Sequence, residues 1–194
     1  MAAAIVLFQD SRVGTGSLAP MAVIPVVHDL RPGDVVFVTL PGAFWARLAS
    51  RWSLPQYRHG HVGMVVTTGD DPFVVHASGN PAQTDAKVVR VRLKEFARGA
   101  QRLDVFRPND AAAALRAAQA ADEFALRAVK FDTEFSLESR DRLYCTELIW
   151  RALNSGYGRD TVPIKSHFAG REAVFLSDLE TSQYLRLVET VRAF

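Results

Sequence analysis

The chain of 194 residues contains a single cysteine, Cys145. One cysteine excludes a disulfide within the chain, and it excludes zinc sites and redox pairs that are built on two closely spaced cysteines. Any role of Cys145 beyond packing therefore has to be that of a lone thiol.

Long hydrophobic runs are also missing. The longest apolar stretches, residues 2–8 and 21–27, have seven residues each, whereas a membrane-spanning helix needs about 20. The first ten residues contain neither Lys nor Arg, and a secretory signal begins with a basic segment. We therefore expect no transmembrane segment and a cytoplasmic protein, with export by another route left open.

Neither sign of charge dominates, because 23 basic residues stand against 21 acidic ones, for a net charge of +2. The sequence has no basic stripe, so we expect no nucleic acid partner. Hydrophobic residues make up 48% and charged residues 23%, a balance that excludes disorder and coiled-coil repeats. We expect one globular domain over residues 1–194.

Strand patterns come first along the chain and helix patterns later. Strands are predicted at residues 35–38, 61–68, 73–77, 88–93 and 103–106, with a Pro-Gly turn at 31–34 and a hairpin turn at 69–72. Helices are predicted at residues 41–52, 93–98, 110–129 (capped by Asn109 or Asp110) and 142–154 (capped by Asp141 and ended by Gly156), while residues 177–191 mix both signals. This order predicts an α+β fold, a small antiparallel sheet or half-barrel with helices packed on one side.

Two histidines lie on the predicted hairpin. If His61 lies directly opposite His76, the loop is residues 67–70, a common four-residue connection. Cross-strand partners project to one face with Cβ atoms about 4.5 to 5.5 Å apart, so one imidazole could orient the other. The alternative is that the two are unrelated histidines at strand ends.

Cys145 begins a helical apolar face that continues through positions 148, 149, 152 and 153. The N–H groups and the dipole at a helix N-terminus favour thiolate over thiol, which makes a cysteine nucleophilic. The alternative is a small buried hydrophobic residue. A cysteine nucleophile needs a base, and the base needs a third group to fix its orientation. His61 and His76 could supply these two roles.

Two other hypotheses are compatible with the sequence. His59, His61 and His76 could bind zinc, since three imidazoles leave an open coordination position, but this leaves Cys145 unexplained. The chain could also be a non-catalytic module that binds a lipid or peptide in an apolar groove of Phe44, Trp45 and Trp52.

Several segments resemble the successive motifs of the permuted papain-like amidases, which are YiiX-like, circularly permuted relatives of the NlpC-type cell-wall peptidases. The similar segments, in order along the chain, are LRPGDVVF at 30–37, HVGMVV at 61–66, VVHA at 74–77, FDTEF at 131–135 and YCTELI at 144–149. The resemblance implies a papain-like fold.

The resemblance also implies the roles of individual residues. Cys145 would be the nucleophile, His61 the base and His76 the third member, a position that is often Glu in close relatives. Tyr144 would lie by the oxyanion with the backbone N–H of Cys145. Asp34 is a further candidate for supporting the site, with the fixing of its Pro-Gly turn as the alternative.

The implied reaction is acyl transfer without a cofactor or metal. His61 would take the Cys145 proton or hold it in an ion pair, the thiolate would attack an amide of peptide, γ-glutamyl or isopeptide type, and water would release the acid. An acyltransferase or esterase acting on a lipid is the alternative. We expect a small peptide-like or lipid-like substrate as the partner, with the oligomeric state open. Glu147 is expected to be solvated or to cap its helix.

Overall fold

The computed structural model describes residues 27–41, 46, 49–79 and 85–192. Within these ranges, ten strands have described bounds: β1 (Val35–Thr39), β2 (His61–Thr67), β3 (Phe73–Ser78), β4 (Lys87–Arg92), β5 (Arg102–Pro108), β6 (Lys130–Phe131), β7 (Arg142–Leu143), β8 (Ser166–Phe168), β9 (Arg171–Ala173) and β10 (Leu185–Arg192). The helices with described bounds are α1 (Leu93–Phe96), α2 (Ala111–Leu126), α3 (Cys145–Tyr157) and α4 (Leu176–Glu180), with a 3-10 turn at Ser50–Trp52. None of the helices in the described ranges is long and apolar enough to cross a membrane.

Eight strands form one sheet in the order β10-β5-β1-β2-β3-β4-β6-β7, and β8 and β9 form a separate hairpin. All neighbours in the large sheet are antiparallel except β6 and β7. The mixed α+β architecture confirms the predicted fold class. The parallel pair at the edge is too short to give a strand pattern in the sequence.

The sheet has an apolar core on each face. Side chains alternate along a strand, so Val35 and Phe37 join a larger core with residues of α2 and α3, such as Leu148. Val36 joins a smaller core around Phe96, the last residue of α1. The two long helices thus pack on one side of the sheet, as predicted, and α1 covers part of the other.

The predicted register of the β2–β3 hairpin is wrong by two residues. Met64 pairs with Val75, and an irregularity lies between Val65 and Thr67, whereas the prediction placed His61 opposite His76. The loop is longer than predicted, so the register differs by three residues at Thr67 and Phe73, and the β-bulge in β2 reduces the difference to two at Met64 and Val75. A shift of two residues, unlike a shift of one, leaves the side chains at the histidine end of the hairpin on their predicted faces.

The cysteine helix begins later than predicted. Arg142 and Leu143 pair with β6, so the backbone stays extended up to Tyr144, which is the N-cap in place of Asp141. The helix ends at Tyr157 and is followed by Gly158 at φ 67°. Gly156 does not end the helix but lets α3 approach α2, because a Cβ there would lie 2.3 Å from the Ala113 carbonyl oxygen.

The other predicted helices have mixed outcomes. Asp110 caps α2 by accepting a hydrogen bond from the Ala113 N–H at 2.7 Å. It is one of the two capping residues that the sequence predicted. Half of the predicted helix at 41–52, including Phe44 and Trp45, lies outside the described residues. The ambiguous segment at 177–191 divides into α4 and β10.

Candidate active site

A histidine pair lies across β2 and β3. The Nε2 atom of His61 is 2.9 Å from the Nδ1 atom of His76, and both rings pack against Phe96, with centroids 5.4 Å and 5.2 Å from its ring. The structure therefore brings together the two histidines that the sequence placed on one hairpin.

Burial keeps both imidazoles neutral. It lowers the pKa of His61 to about 4, and burial together with the neighbouring His61 lowers the pKa of His76 to about 3. Between two neutral rings, one nitrogen donates the proton and the other accepts it. When His61 donates through Nε2, its Nδ1 lone pair is left to accept a proton.

Cys145 is the first residue of α3 and is partly buried against the larger core. Burial raises the pKa of the thiol to about 11, and the backbone N–H groups of Thr146 and Cys145 oppose this rise. The thiol is therefore protonated at neutral pH. The sequence left open whether His61 and Cys145 form an ion pair before substrate binds. The lowered pKa of His61 and the raised pKa of Cys145 favour a neutral imidazole and a neutral thiol.

The thiol and the histidine pair lie at the same end of the sheet. The register that pairs Met64 with Val75 places Ser78 opposite His61, and the row of pairs continues across the sheet through Ser78, Lys87, Lys130 and Arg142. Cys145 lies three residues after Arg142, the last residue of this row. No hydrogen bond joins its Sγ to either imidazole in the part of the chain that the structure describes.

Tyr144 anchors the start of α3. Its side chain is buried, and its hydroxyl oxygen accepts a hydrogen bond from the Val174 N–H at 2.8 Å. The Thr146 hydroxyl donates to the Val174 carbonyl at 2.6 Å. The phenol oxygen is thus fixed by a backbone contact, and its O–H remains a donor. The place of Tyr144 beside the oxyanion stays a prediction, together with the backbone N–H groups that the start of the helix leaves unpaired.

Glu147 is fully buried, which corrects the expectation that it is solvated. Burial raises its pKa to about 7, although the guanidinium of Arg151 and the backbone of Tyr144 oppose this rise. One carboxyl oxygen accepts a hydrogen bond from Arg151 at 2.8 Å, while Oε2 has no partner. Glu147 is the third residue of the helix, where a carboxylate can form a capping box, but no hydrogen bond from the Tyr144 N–H to its carboxyl is formed in the described residues.

Asp34 lies away from the histidine pair. It precedes β1, whose far end pairs with His61 through Val38. Its carboxylate accepts a hydrogen bond from the Arg31 N–H at 2.8 Å and two from Arg107 at 2.8 Å each. The structure thus places Asp34 in the turn and in an ion pair with β5, which is the structural alternative.

His59 occupies a buried site that the sequence interpretation treated as a loop position. Its Nδ1 lies 2.8 Å from a Glu180 oxygen and its Nε2 lies 2.8 Å from an Asp104 oxygen. Both ring nitrogens must carry protons to donate to two carboxylates, so His59 is an imidazolium. One sequence signal pointed to this buried ionic site: Asp104 interrupts the apolar residues of β5, where a charge needs a buried partner.

The same contacts oppose the zinc hypothesis. A zinc-bound imidazole needs a lone pair, and His59 has none left for a metal. Within the described residues, no group of three His, Cys, Asp or Glu side chains is arranged to hold a metal ion.

Comparison with known proteins agrees with this architecture. The model of the permuted papain-like amidase enzymes, YaeF/YiiX, C92 family, matches residues 29–171. A solved structure with a similar fold is the crystal structure of metalloprotein YiiX from Escherichia coli O157:H7, with a TM-score of 0.63 and 19% identity over 82% of this chain and 96% of that chain. A search of curated proteins found no match. Because the family match covers well over half of the sequence, the chain belongs to the permuted papain-like amidases of the C92 family, a family of papain-like cysteine hydrolases.

Proposed function

We propose that this protein hydrolyses an amide of peptide, γ-glutamyl or isopeptide type, with Cys145 as the nucleophile, His61 as the base and His76 as the group that orients His61. The observation that carries the assignment is the hydrogen bond between His61 and His76. It ties up one nitrogen of His61 and leaves the other as a proton acceptor, as a base in a catalytic triad requires.

The reaction starts from neutral groups. His61 takes the thiol proton as the sulfur attacks the amide carbonyl carbon, and the tetrahedral oxyanion is stabilised by backbone N–H groups at the start of α3. His61 then returns the proton to the leaving amine while the C–N bond breaks and a thioester forms on Cys145. Water, deprotonated by His61, hydrolyses the thioester and restores the thiol.

The two groups have to come into contact for this reaction. Catalytic hydrogen bonds are often long in an enzyme without substrate and tighten in the substrate complex. Both groups lie at one end of the sheet, and Cys145 is at the terminus of its helix. We infer that substrate binding brings the Cys145 thiol and the His61 imidazole together.

An activated acyl donor tests the assignment without knowledge of the natural substrate. Para-nitrophenyl acetate should release a burst of nitrophenol and leave an acetyl group on Cys145, detected by peptide mass spectrometry and removed by neutral hydroxylamine. The His61→Ala variant should lose the adduct at neutral pH, and the exposed His167 offers a matched control, His167→Ala. Equal acetylation of Cys145 in wild type and His61→Ala would overturn the role of His61. Acetylation of other residues with none on Cys145 would overturn the role of Cys145.

A further inference from the structure

Basic side chains form a row that starts beside the histidine pair. The register places Ser78 opposite His61, and Ser78 pairs in turn with Lys87. Lys87 pairs with Lys130, and Lys130 pairs with Arg142. We call Lys87, Lys130 and Arg142 the basic row. It crosses the three neighbouring strands β4, β6 and β7 at the end of the sheet where the proposed catalytic groups lie.

The basic row projects from the face of the sheet that carries the histidine pair. Neighbouring residues of a strand point to opposite faces. Each residue of the basic row precedes one that packs into the larger core, namely Val88, Phe131 and Leu143. The two histidines likewise precede Val62 and Ala77 of that core, and their rings contact Phe96 on the other face. The basic row and the histidine pair therefore share a face.

Lys87 and Lys130 stand opposite each other in the closer kind of strand pair. Backbone hydrogen bonds of 2.7 Å and 2.8 Å join β4 to β6 on either side of the two lysines. This is the pattern of a non-hydrogen-bonded antiparallel pair, in which the Cα atoms are about 4.5 Å apart. Like charges directly opposite each other destabilise a sheet, so the pair is unfavourable unless an anion lies between the two ammonium groups.

The described part of the chain does not supply that anion. Both lysines are exposed, and neither ammonium group forms an ion pair with a described acidic residue, the nearby Asp85 included. Residues 80–84, which lie outside the described ranges, contain no Asp or Glu. Arg142 has an acidic neighbour in Asp141, at 4.0 Å. The basic row thus carries an excess of positive charge beside the histidine pair.

We propose that the basic row binds carboxylates on the amine part of the substrate, so that the amine released is an acidic peptide. The inference rests on the proposed function, because His61 protonates the leaving amine and so fixes the side on which that amine lies. The strands of His61 and Lys87 are two steps apart in the sheet, about 10 Å. The flexible four-carbon stem of a lysine spans much of this gap, and the Ser78 hydroxyl between them can also donate to a carboxylate.

The length of the basic row indicates more than one carboxylate. Lys130 and Arg142 lie one and two strands beyond Lys87, each step being about 4.8 Å. A carboxylate close to the leaving nitrogen lies within reach of Lys87, and an acidic residue that follows it in the released peptide lies beside Lys130 and Arg142. The guanidinium group of Arg142 can bind such a carboxylate through two parallel hydrogen bonds.

A series of amides with one acyl group tests this specificity. The probes are the butyryl amides of glutamylglutamate, glutaminylglutamine amide and lysyllysine amide, and the released dipeptide is quantified by liquid chromatography with mass detection. We expect kcat/KM to be at least about tenfold higher for the acidic probe than for the neutral one, as hydrogen bonds to charged groups warrant. The lysine probe should be the slowest. Added salt should lower kcat/KM for the acidic probe alone, because it screens exposed charges.

Lys130→Glu is the diagnostic variant, because it reverses the charge at an exposed position and leaves the core intact. It should reduce the acidic-to-neutral ratio of kcat/KM by about tenfold or more, whereas Lys130→Arg should keep the ratio. Lys94→Glu is the matched control, because it makes the same change of net charge at an exposed lysine beside Asp71, at the opposite end of the sheet. An unchanged ratio in Lys130→Glu, an equal loss in Lys94→Glu, or no acidic preference in the wild type would overturn the inference.

A binding measurement separates this inference from the proposed function. Calorimetric titration of Cys145→Ala with glutamylglutamate and with glutaminylglutamine amide needs no turnover. Tighter binding of the acidic dipeptide that is lost in the Cys145→Ala/Lys130→Glu double variant supports the carboxylate site even if no amide is hydrolysed. Equal binding of the two dipeptides would overturn the carboxylate site, and hydrolysis without a charge preference would do so while leaving the proposed reaction standing.

Discussion

His76 reaches His61 along the diagonal of the β2–β3 pair. The register places Ser78, and not His76, opposite His61, yet the two ring nitrogens are 2.9 Å apart. Diagonal neighbours on one face of an antiparallel pair have Cβ atoms about 7 to 8 Å apart or somewhat less, a gap that two imidazoles can bridge. The contact therefore depends on the length of both side chains as well as on the register.

This geometry predicts the effect of substitutions at His76. His76→Phe removes the acceptor that fixes the His61 tautomer, and kcat should fall by about a hundredfold or more, as for the loss of the orienting group in other triads. His76→Glu supplies a carboxylate acceptor of similar reach and should retain most of the activity. The measurement is hydrolysis of an acyl para-nitroanilide at neutral pH.

A purely structural role of His76 would give a different pattern. Nitrogen NMR shifts of the His61 ring report its tautomer directly, and they should show Nε2–H in the wild type and in His76→Glu. If His76→Phe keeps both that tautomer and the activity, the orienting role of His76 is wrong.

The charge state of Cys145 predicts slow alkylation of the resting protein. With the pKa raised to about 11, little thiolate exists at pH 7, and the rate with iodoacetamide should increase with pH beyond the range where an ordinary cysteine of pKa about 8.5 levels off. His61→Ala should alkylate at nearly the wild-type rate, because the resting base is neutral. A plateau at neutral pH that disappears in His61→Ala would instead demonstrate a preformed ion pair.

The sequence predicted the local parts of this site better than the contacts between them. Turn chemistry and apolar alternation placed His61 and His76 on one hairpin, and helical spacing placed Cys145 at the start of a helix. These patterns depend on neighbouring residues, so they survive the two-residue error in register.

Long-range contacts were not predictable in the same way. His59 meets Glu180, which is 121 positions away in sequence, and no local pattern encodes that separation. The ring of Trp52 likewise stacks on that of Phe175, a residue far from it in sequence. The short strands β6 and β7 have two residues each, too few for alternation to be recognised, and they determine where the cysteine helix begins.

Glu147 predicts a pH dependence of stability. Its pKa rises from 4.5 in the unfolded chain to about 7 in the folded protein, so the folded state binds more protons between these values and stability falls as pH increases through them. Glu147→Gln should remove this dependence. Because a shift of one pKa unit corresponds to 1.36 kcal/mol, the change in unfolding free energy is on the order of 3 kcal/mol.

Urea unfolding at pH 4.5 and pH 7 measures the effect of Glu147. The histidine pair has lowered pKa values and contributes a slope of opposite sign, so the difference between wild type and variant is the relevant quantity. Glu138→Gln, at an exposed position of the neighbouring loop, is the matched control. A Glu147→Gln protein with the wild-type pH slope would show that the buried carboxyl is not protonated in the fold.

The buried His59 cluster predicts a second pH effect, in a higher pH range. Burial lowers the pKa of His59, but hydrogen bonds to Asp104 and Glu180 outweigh burial, so the net shift is upward from 6.5. A raised folded pKa gives stability that is fully present below the unfolded value and is lost as pH rises through the folded value. His59→Gln should lose about 3 to 5 kcal/mol at pH 6, because it leaves two buried carboxylates without their shared cation.

The partners of His59 explain why the loss should be large and how it can be distinguished from damage to the active site. Arg102 also lies against Asp104, with its Nε 2.8 Å from the carboxylate. Within the described residues it forms no ion pair with Glu180, which pairs with His59. Stability measured by urea unfolding from pH 6 to pH 9 should therefore decline more steeply in the wild type than in His59→Gln, which keeps the decline caused by Glu147. The exposed His167→Gln should behave as wild type. A decline of equal slope in His59→Gln would mean that His59 is neutral in the folded protein.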